Sequence, residues 1–411
     1  MRNDQHNAPA LRFPEFRGSG AWEKEEMGNV IDFQTGFPFK SSHFNESGVG
    51  LRLVKNRDLK SDDKMVYYDG EYHEDFLIQN GDLLVGMDGD FTPRYWNKGQ
   101  ALLNQRVGRV VAKDKNAERF FEYFLAIQLK EIEEKTARTT VKHLSHKAVN
   151  AIHALIPSSK EQQKIAACLS SLDALIAAHR DKLAALKHHK TGLLQNLFPQ
   201  AGQDVPNYRF PAFREDGVWE ETPFKELIKL YRGSSPRPIR EYLTEDEDGV
   251  NWIKIGDTGD VTDFVIRKVS EKISPKGAEK SRAVTKGELI LANSMSYGHT
   301  YEVDIDGCIY DGWFVLREYE GVLDKQFLLQ VLNSEYMQGQ YKKFAAGGIV
   351  QNISSEIVYS TSIPLTSLAE QQKIAACLSA VDELIAAQDQ KIEQLEEHKK
   401  GLMQGLFPSV K

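Results

Sequence analysis

Glu161-Gln162-Gln163-Lys164-Ile165-Ala166-Ala167-Cys168-Leu169-Ser170 decides how this chain is read, because it returns letter for letter at Glu370 to Ser379. Downstream, the two copies keep only a hydrophobic skeleton before closing on Leu197-Phe198-Pro199 and Leu406-Phe407-Pro408. Upstream, Arg12-Phe13-Pro14 through Phe16-Arg17, Gly20, Trp22 and Glu23 recurs as Arg209-Phe210-Pro211 through Phe213-Arg214, Gly217, Trp219 and Glu220. The chain is two half-molecules in tandem, each a globular block followed by a long helix. Between the matching ends the blocks differ in sequence. A duplicated frame around two different inserts implies a device that reads two different things at a fixed separation.

The helices follow from the spacing of apolar residues. In the first copy these are Leu169, Leu172, Ile176, Leu183, Leu186, Leu193 and Leu197; in the second, Leu378, Val381, Ile385, Ile392, Leu395, Leu402 and Leu406. Steps of three and four form a heptad seam, interrupted at matching places by His179 and Lys190 and by Gln388 and Lys399. Ser158 and Ser367 stand three residues before Glu161 and Glu370, the spacing of a capping box. Roughly 36 helical residues at 1.5 Å each give a rod of about 55 Å. Its near-copy in the same chain is the natural partner for each stripe, head to tail, since a whole block lies between them. His179 and His189 lie within this pattern with no Cys/His set at ligand spacing around them, so no metal is expected.

At 411 residues the chain exceeds one core. The expected division is 1–157 first block, 158–199 first helix, 200–366 second block and 367–411 second helix. No apolar run reaches the length of a membrane span and no apolar leader precedes Arg12, so a cytoplasmic location is expected. The three cysteines do not form a disulfide pattern. Lys and Arg number 52 against 59 Asp and Glu, a net charge of −7. A chain that binds nucleic acid by phosphate neutralisation alone would be basic. Any such role here rests on local patches or on partners that supply positive charge.

Both blocks read as mixed α/β. Leu51–Val54, Asp82–Gly86 and Val107–Val111 are expected strands in the first, and Trp252–Ile255, Glu288–Leu291 and Trp313–Leu316 in the second. One helix is expected in each, Ala117 to Glu134 and Asp324 to Phe344. Polar loops at the strand ends carry residue types that read base edges, Arg or Lys for guanine, Asn or Gln for adenine and Asp or Glu for cytosine. The candidates are Lys40, Lys55, Asn56, Arg57, Asp88, Arg94 and Tyr95 in the first block. In the second they are Arg232, Ser234, Ser235, Arg237, Lys254, Asn293, Ser296, Tyr297 and His299. The same residues also furnish ordinary solvated turns.

The capped Glu-Gln-Gln-Lys-Ile-Ala helix, repeated after a second Arg-Phe-Pro-x-Phe block, resembles the specificity subunit of type I restriction-modification systems across the whole chain. The resemblance implies two α/β (α+β) target-recognition domains joined by two long helices in an intramolecular antiparallel coiled coil, with pseudo-twofold organisation. It implies double-stranded DNA as ligand, a split asymmetric target, two docked methyltransferase subunits, and motor-nuclease subunits in the full complex. No Walker loop, methyltransferase motif or His-Glu-x-x-His occurs, so the chain is expected to be non-catalytic and without a cofactor. A coiled-coil scaffold or adaptor whose blocks bind peptides is the rival reading.

Overall fold

The computed structural model describes residues 8–114, 118–136, 143–200, 202–259, 261, 263–294, 298–345 and 353–408. Among the candidates, Ser296 and Tyr297 lie outside the described residues. Two compact units result, and their boundaries cut through the long helices. The first unit comprises residues 1–180 and 391–411, the second residues 181–390.

The two long helices are Ser159–Leu197 and Leu368–Leu406, of 39 residues each. Their starts differ from the capping-box expectation. The carbonyls of Ser158 and Ser367 accept the amides of Gln162 and Gln371, and Ser367 Oγ accepts the Glu370 amide at 3.3 Å. The glutamates, however, do not reach back to the cap. Glu161 accepts Arg12 Nε and Nη2, both at 2.7 Å, and Glu370 accepts Arg209 Nε at 2.8 Å and Nη2 at 2.7 Å. A planar guanidinium matches both carboxylate oxygens at once, and so outcompetes a single amide. The third nitrogen of each arginine ties down the repeated segment that follows. Arg12 Nη1 donates to the carbonyls of Ser19 and Gly20, and Arg209 Nη1 to those of Asp216 and Gly217. The two repeated sequence motifs are therefore halves of one clamp, built once in each unit.

Within each unit one long helix starts beside the end of the other. In the first, Lys399 pairs with Asp173 and Arg180 with Glu396; in the second, Lys187 pairs with Asp389 and Lys190 with Asp382. Partner numbers fall along one helix as they rise along the other, so the pairing is antiparallel. The closing Leu-Phe motif seals the cores. Leu406 and Phe407 join Ile165, Ala166 and Leu169 in the first, with Phe407 ringed by Phe120 and Phe124 at 5.7 and 6.0 Å between centroids. Leu197 and Phe198 join Ile374, Ala375 and Leu378 in the second, Phe198 lying 5.5 Å from Phe327.

The blocks, dissimilar in sequence, share one topology. In the first, Ile31–Thr35, Val107–Ala112, Leu83–Gly86 and Arg94–Tyr95 form an antiparallel sheet in that order. In the second, Lys229–Arg232, Trp313–Arg317, Leu289–Ala292 and Thr300–Val303 do the same, with Val265–Ile266 added in parallel. Each block has a further five-stranded sheet containing one parallel pair, Leu51–Val54 with Ala101–Leu103 and Val250–Ile253 with Gly307–Ile309. Leu83–Gly86 and Leu289–Ala292 are buried at every position, which is why they read as continuous apolar runs. Gly81 and Gly287 precede them with φ of 99° and 92°, a conformation that favours glycine.

The helix expectation holds in the first block, Glu118–Thr136, and needs correction in the second. There two helices form, Lys325–Leu332 and Glu335–Ala345. Asn333 spends its side chain on the Thr300 backbone, accepting from N at 3.0 Å and donating to O at 2.8 Å, while Ser334 Oγ donates to the Val331 carbonyl at 2.6 Å. Both residues offer the backbone an alternative to the helical ladder, and the helix ends there.

Candidate nucleic-acid interface

In the first unit two loops come together. Lys55 begins a tight turn, Asn56–Leu59, closed by Asp58 Oδ2 accepting the Lys55 amide at 2.7 Å. Asn56 Nδ2 donates to the Asp88 carbonyl, joining this turn to the loop after Leu83–Gly86. Asp88 Oδ1 faces Arg106 Nη1 at 3.3 Å and His143 Nδ1 at 2.8 Å. Asp90 takes Lys60 Nζ at 2.8 Å with Arg94 Nη2 at 3.9 Å. Burial would push the Asp90 carboxyl up, but the Lys60 ammonium and the Thr92 hydroxyl and amide outweigh it and hold it at about 2. Arg57 is exposed and donates to the Lys64 carbonyl, and Lys55 Nζ lies 4.8 Å from the Phe44 ring centroid.

Two first-block candidates stand apart. Lys40 is exposed on the loop after Ile31–Thr35. Tyr95 packs against the core with its hydroxyl buried and Arg119 4.5 Å above its ring; burial raises that phenol well above its ordinary range.

In the second unit four candidates converge on Asp311, in the turn between Gly307–Ile309 and Trp313–Arg317. Its carbonyl accepts Arg232 Nε at 3.2 Å and Asn293 Nδ2 at 3.1 Å. Its carboxylate accepts the Ser235 hydroxyl and lies 3.7 Å from Arg237 Nη2. Ser234 Oγ donates to the Lys280 carbonyl, bringing Lys280 and Arg282 to the same edge; Arg282 Nε reaches the Arg232 carbonyl at 3.3 Å. Asn293 is buried, so its amide supports the turn rather than facing solvent. Lys254 and His299 are not part of this group. Lys254 pairs with Glu271 at 2.7 Å, and His299 stacks on Phe264 with Nδ1 3.4 Å from Asn333 Oδ1.

Sequence reasoning missed Lys60, Asp90, Arg106, His143 and Asp311. Only Asp311 carried a local signal, an Asp-Gly dipeptide between two apolar runs. Along the helices, Leu169, Ile176, Leu378, Val381, Ile392 and Leu395 are buried. Leu172, Leu183, Leu186, Leu193, Ile385 and Leu402 are half-buried. Lys190 and Lys399, which break the apolar pattern, take up the equivalent carboxylates Asp382 and Asp173.

The sequence matches a family model described as type I restriction modification DNA specificity domain, over residues 20–188 and 217–397. The chain belongs to the type I restriction-modification DNA specificity family. Its role is accordingly that of a specificity chain, recognition of a DNA target. Among its relatives, the type I restriction enzyme EcoBI specificity subunit of Escherichia coli is 29% identical over 394 residues, covering 90% of this chain and 80% of that protein. The MjaVIII specificity subunit of Methanocaldococcus jannaschii is 24% identical over 425 residues, covering 96% and 92%. The fold of this specificity chain is similar to that of the type I restriction-modification S subunit from M. genitalium. That likeness has a TM-score of 0.58 at 16% identity, covering 98% of this chain and 100% of the other. No helix among the described residues of the specificity chain is long and apolar enough to cross a membrane.

Proposed function

We propose that this specificity chain reads a two-part asymmetric site on double-stranded DNA, residues 1–157 taking one half and residues 200–366 the other. The helical segments 158–199 and 367–411 set the spacer and dock two methyltransferase subunits, with motor-nuclease subunits joining the full complex. The chain itself is non-catalytic, holds no cofactor and works in the cytoplasm.

One observation carries this reading: equivalent backbone positions in the two units bear different side chains, polar in at least one of them. The tight turn closed from Asp58 to the Lys55 amide is matched by one closed from Asp257 to the Lys254 amide at 2.8 Å. Asn56 in the first therefore corresponds to Ile255 in the second. The Leu144 amide donates to the Met87 carbonyl as the Ile353 amide does to Asn293, which sets Asp88 against Ser294. Gly36 donates to Val107 as Gly233 does to Trp313, which sets Gln105-Arg106 against Asp311-Gly312. One framework offering two sets of donors and acceptors is what reading two unlike half-sites requires. A peptide-binding scaffold gives no reason for shared strands with divergent strand ends.

The test replaces residues 200–369 by the equivalent block of a relative, co-expresses the chimera with its methyltransferase partner, and sequences the methylome. One half-site should change and the other remain. Simultaneous change of both half-sites refutes the modular reading, and a methylome without sequence preference refutes DNA reading itself.

A further inference from the structure

We propose that Asp311 is a positioning residue for base reading in the second unit, its main-chain carbonyl orienting Arg232 and its carboxylate Arg237 so that their guanidinium groups meet guanine. The inference rests on the DNA-reading function proposed above and deepens it, by naming a residue that sets specificity without touching a base.

Three loops meet at Asp311. Arg232 spends Nε on the Asp311 carbonyl at 3.2 Å, which leaves its two terminal nitrogens as the fork that fits O6 and N7 of guanine. Arg237, with its side chain 81% exposed, is held from one side only, by a carboxylate oxygen 3.7 Å away. Ser235 takes the other carboxylate oxygen. An arginine tethered at one nitrogen loses the rotamer freedom it would otherwise lose on binding, and keeps its remaining donors.

The carboxylate is not needed to make the turn. Main-chain bonds already close it: Trp313 to the Tyr310 carbonyl at 3.2 Å, Asn293 to Gly312 at 2.9 Å, and Ser234 to Ile309 at 3.2 Å. The first unit builds the same turn, Val107 donating to the Asn104 carbonyl at 2.9 Å, with Gln105 where Asp311 stands. Nor does the core need it, since the Asp311 side chain is 39% exposed. A negative charge on a DNA-facing edge repels phosphate, so its presence between exposed arginines calls for a role directed at them. The Ser235 hydroxyl, then the residue's own amide and the charges of Arg237 and Arg232, hold the carboxyl below its ordinary range against the effect of burial. It is therefore ionised at neutral pH. Lys280 and Arg282 on the same edge are suited to the adjoining phosphates.

The experiment uses the chain assembled with its methyltransferase partner and a set of duplexes, each carrying one base-pair change in the methylome-defined target. Arg232→Ala and Arg237→Ala should each relax discrimination at a G·C pair by about 5- to 150-fold. Asp311→Asn keeps the main-chain carbonyl that holds Arg232, so it should relax the pair read by Arg237 and add little on the Arg237→Ala background. It should leave the pair read by Arg232, the other half-site and the salt slope unchanged, since no phosphate contact is lost. Asp311→Glu should restore part of the preference. Ser235→Ala, which keeps every charge, should give a smaller relaxation at the pair read by Arg237, and so covers the case in which Asp311→Asn fails to fold. Unchanged discrimination in Asp311→Asn, or even weakening at every position, overturns the proposal. If neither arginine variant alters any position while the wild type stays selective, the positioning role falls and DNA reading stands. A wild type with no base preference overturns both.

Discussion

Replacing Arg209 by Met removes one half of the clamp in the second unit and leaves the other half stranded. The Arg209 side chain is 9% exposed and that of Glu370 1%. Two hydrogen bonds of 2.7 and 2.8 Å hold the carboxylate, and only the Thr366 hydroxyl would remain to it. Removing one partner of a buried pair costs about 3–5 kcal/mol, chiefly because the survivor keeps its charge out of water. For a unit of this size that loss lowers the melting temperature by about 6–20 °C. The assay is thermal unfolding combined with hydrogen–deuterium exchange read peptide by peptide. Faster exchange should be confined to peptides at 209–220 and 362–378. Arg209→Met combined with Glu370→Leu should recover most of the loss, since an apolar pair of similar volume replaces a buried ion pair at little cost. A melting shift below about 2 °C, or a double variant no better than the single one, refutes the reasoning.

Three further outcomes are expected. Lys190→Met should cost about 1–3 kcal/mol by leaving Asp382 without its ion pair in a partly buried seam, and the exchange Lys190→Asp with Asp382→Lys should restore much of it; unfolding in urea checks both. Burial pushes the Cys308 thiol up to about 11, so iodoacetamide at pH 8 should modify Cys168 and Cys377, which are partly exposed, while Cys308 reacts only after unfolding; equal rates in the native protein contradict this. With Asp90 held at about 2, below its unfolded value, its contribution to stability is complete above about pH 4 and is lost as pH falls through 2; Lys60→Ala should narrow that window, as carboxyl NMR titration would show.

The helices were legible because the repeat states twice which positions face inward, at a period set by local geometry. The antiparallel pairing followed from length and order alone. What the sequence concealed depends on distant partners. Val250–Ile253 lies parallel to Gly307–Ile309, and no local pattern names that neighbour. The common topology of the blocks was hidden because backbone hydrogen bonds carry it while the side chains differ. Tyr95 and Asn293 lie in polar, turn-rich stretches of sequence that favour a reading role, yet one packs its ring on the core from a short strand and the other props a turn. Asp311 gathers Arg232, Ser235 and Arg237 across a long stretch of chain, a convergence that composition cannot express.

The first unit draws on residues 1–180 and on residues 391–411, whereas the second is one continuous segment. On the ribosome this imposes an order. Phe120, Phe124 and Leu169 emerge long before Leu406 and Phe407, which complete their core. Until then the nascent chain carries an apolar face that has no cover, the kind of surface through which partly folded chains misassemble. The second unit, translated later, has all its strands before the first is finished. A premature stop near residue 391 would thus spare the later block and cripple the earlier one.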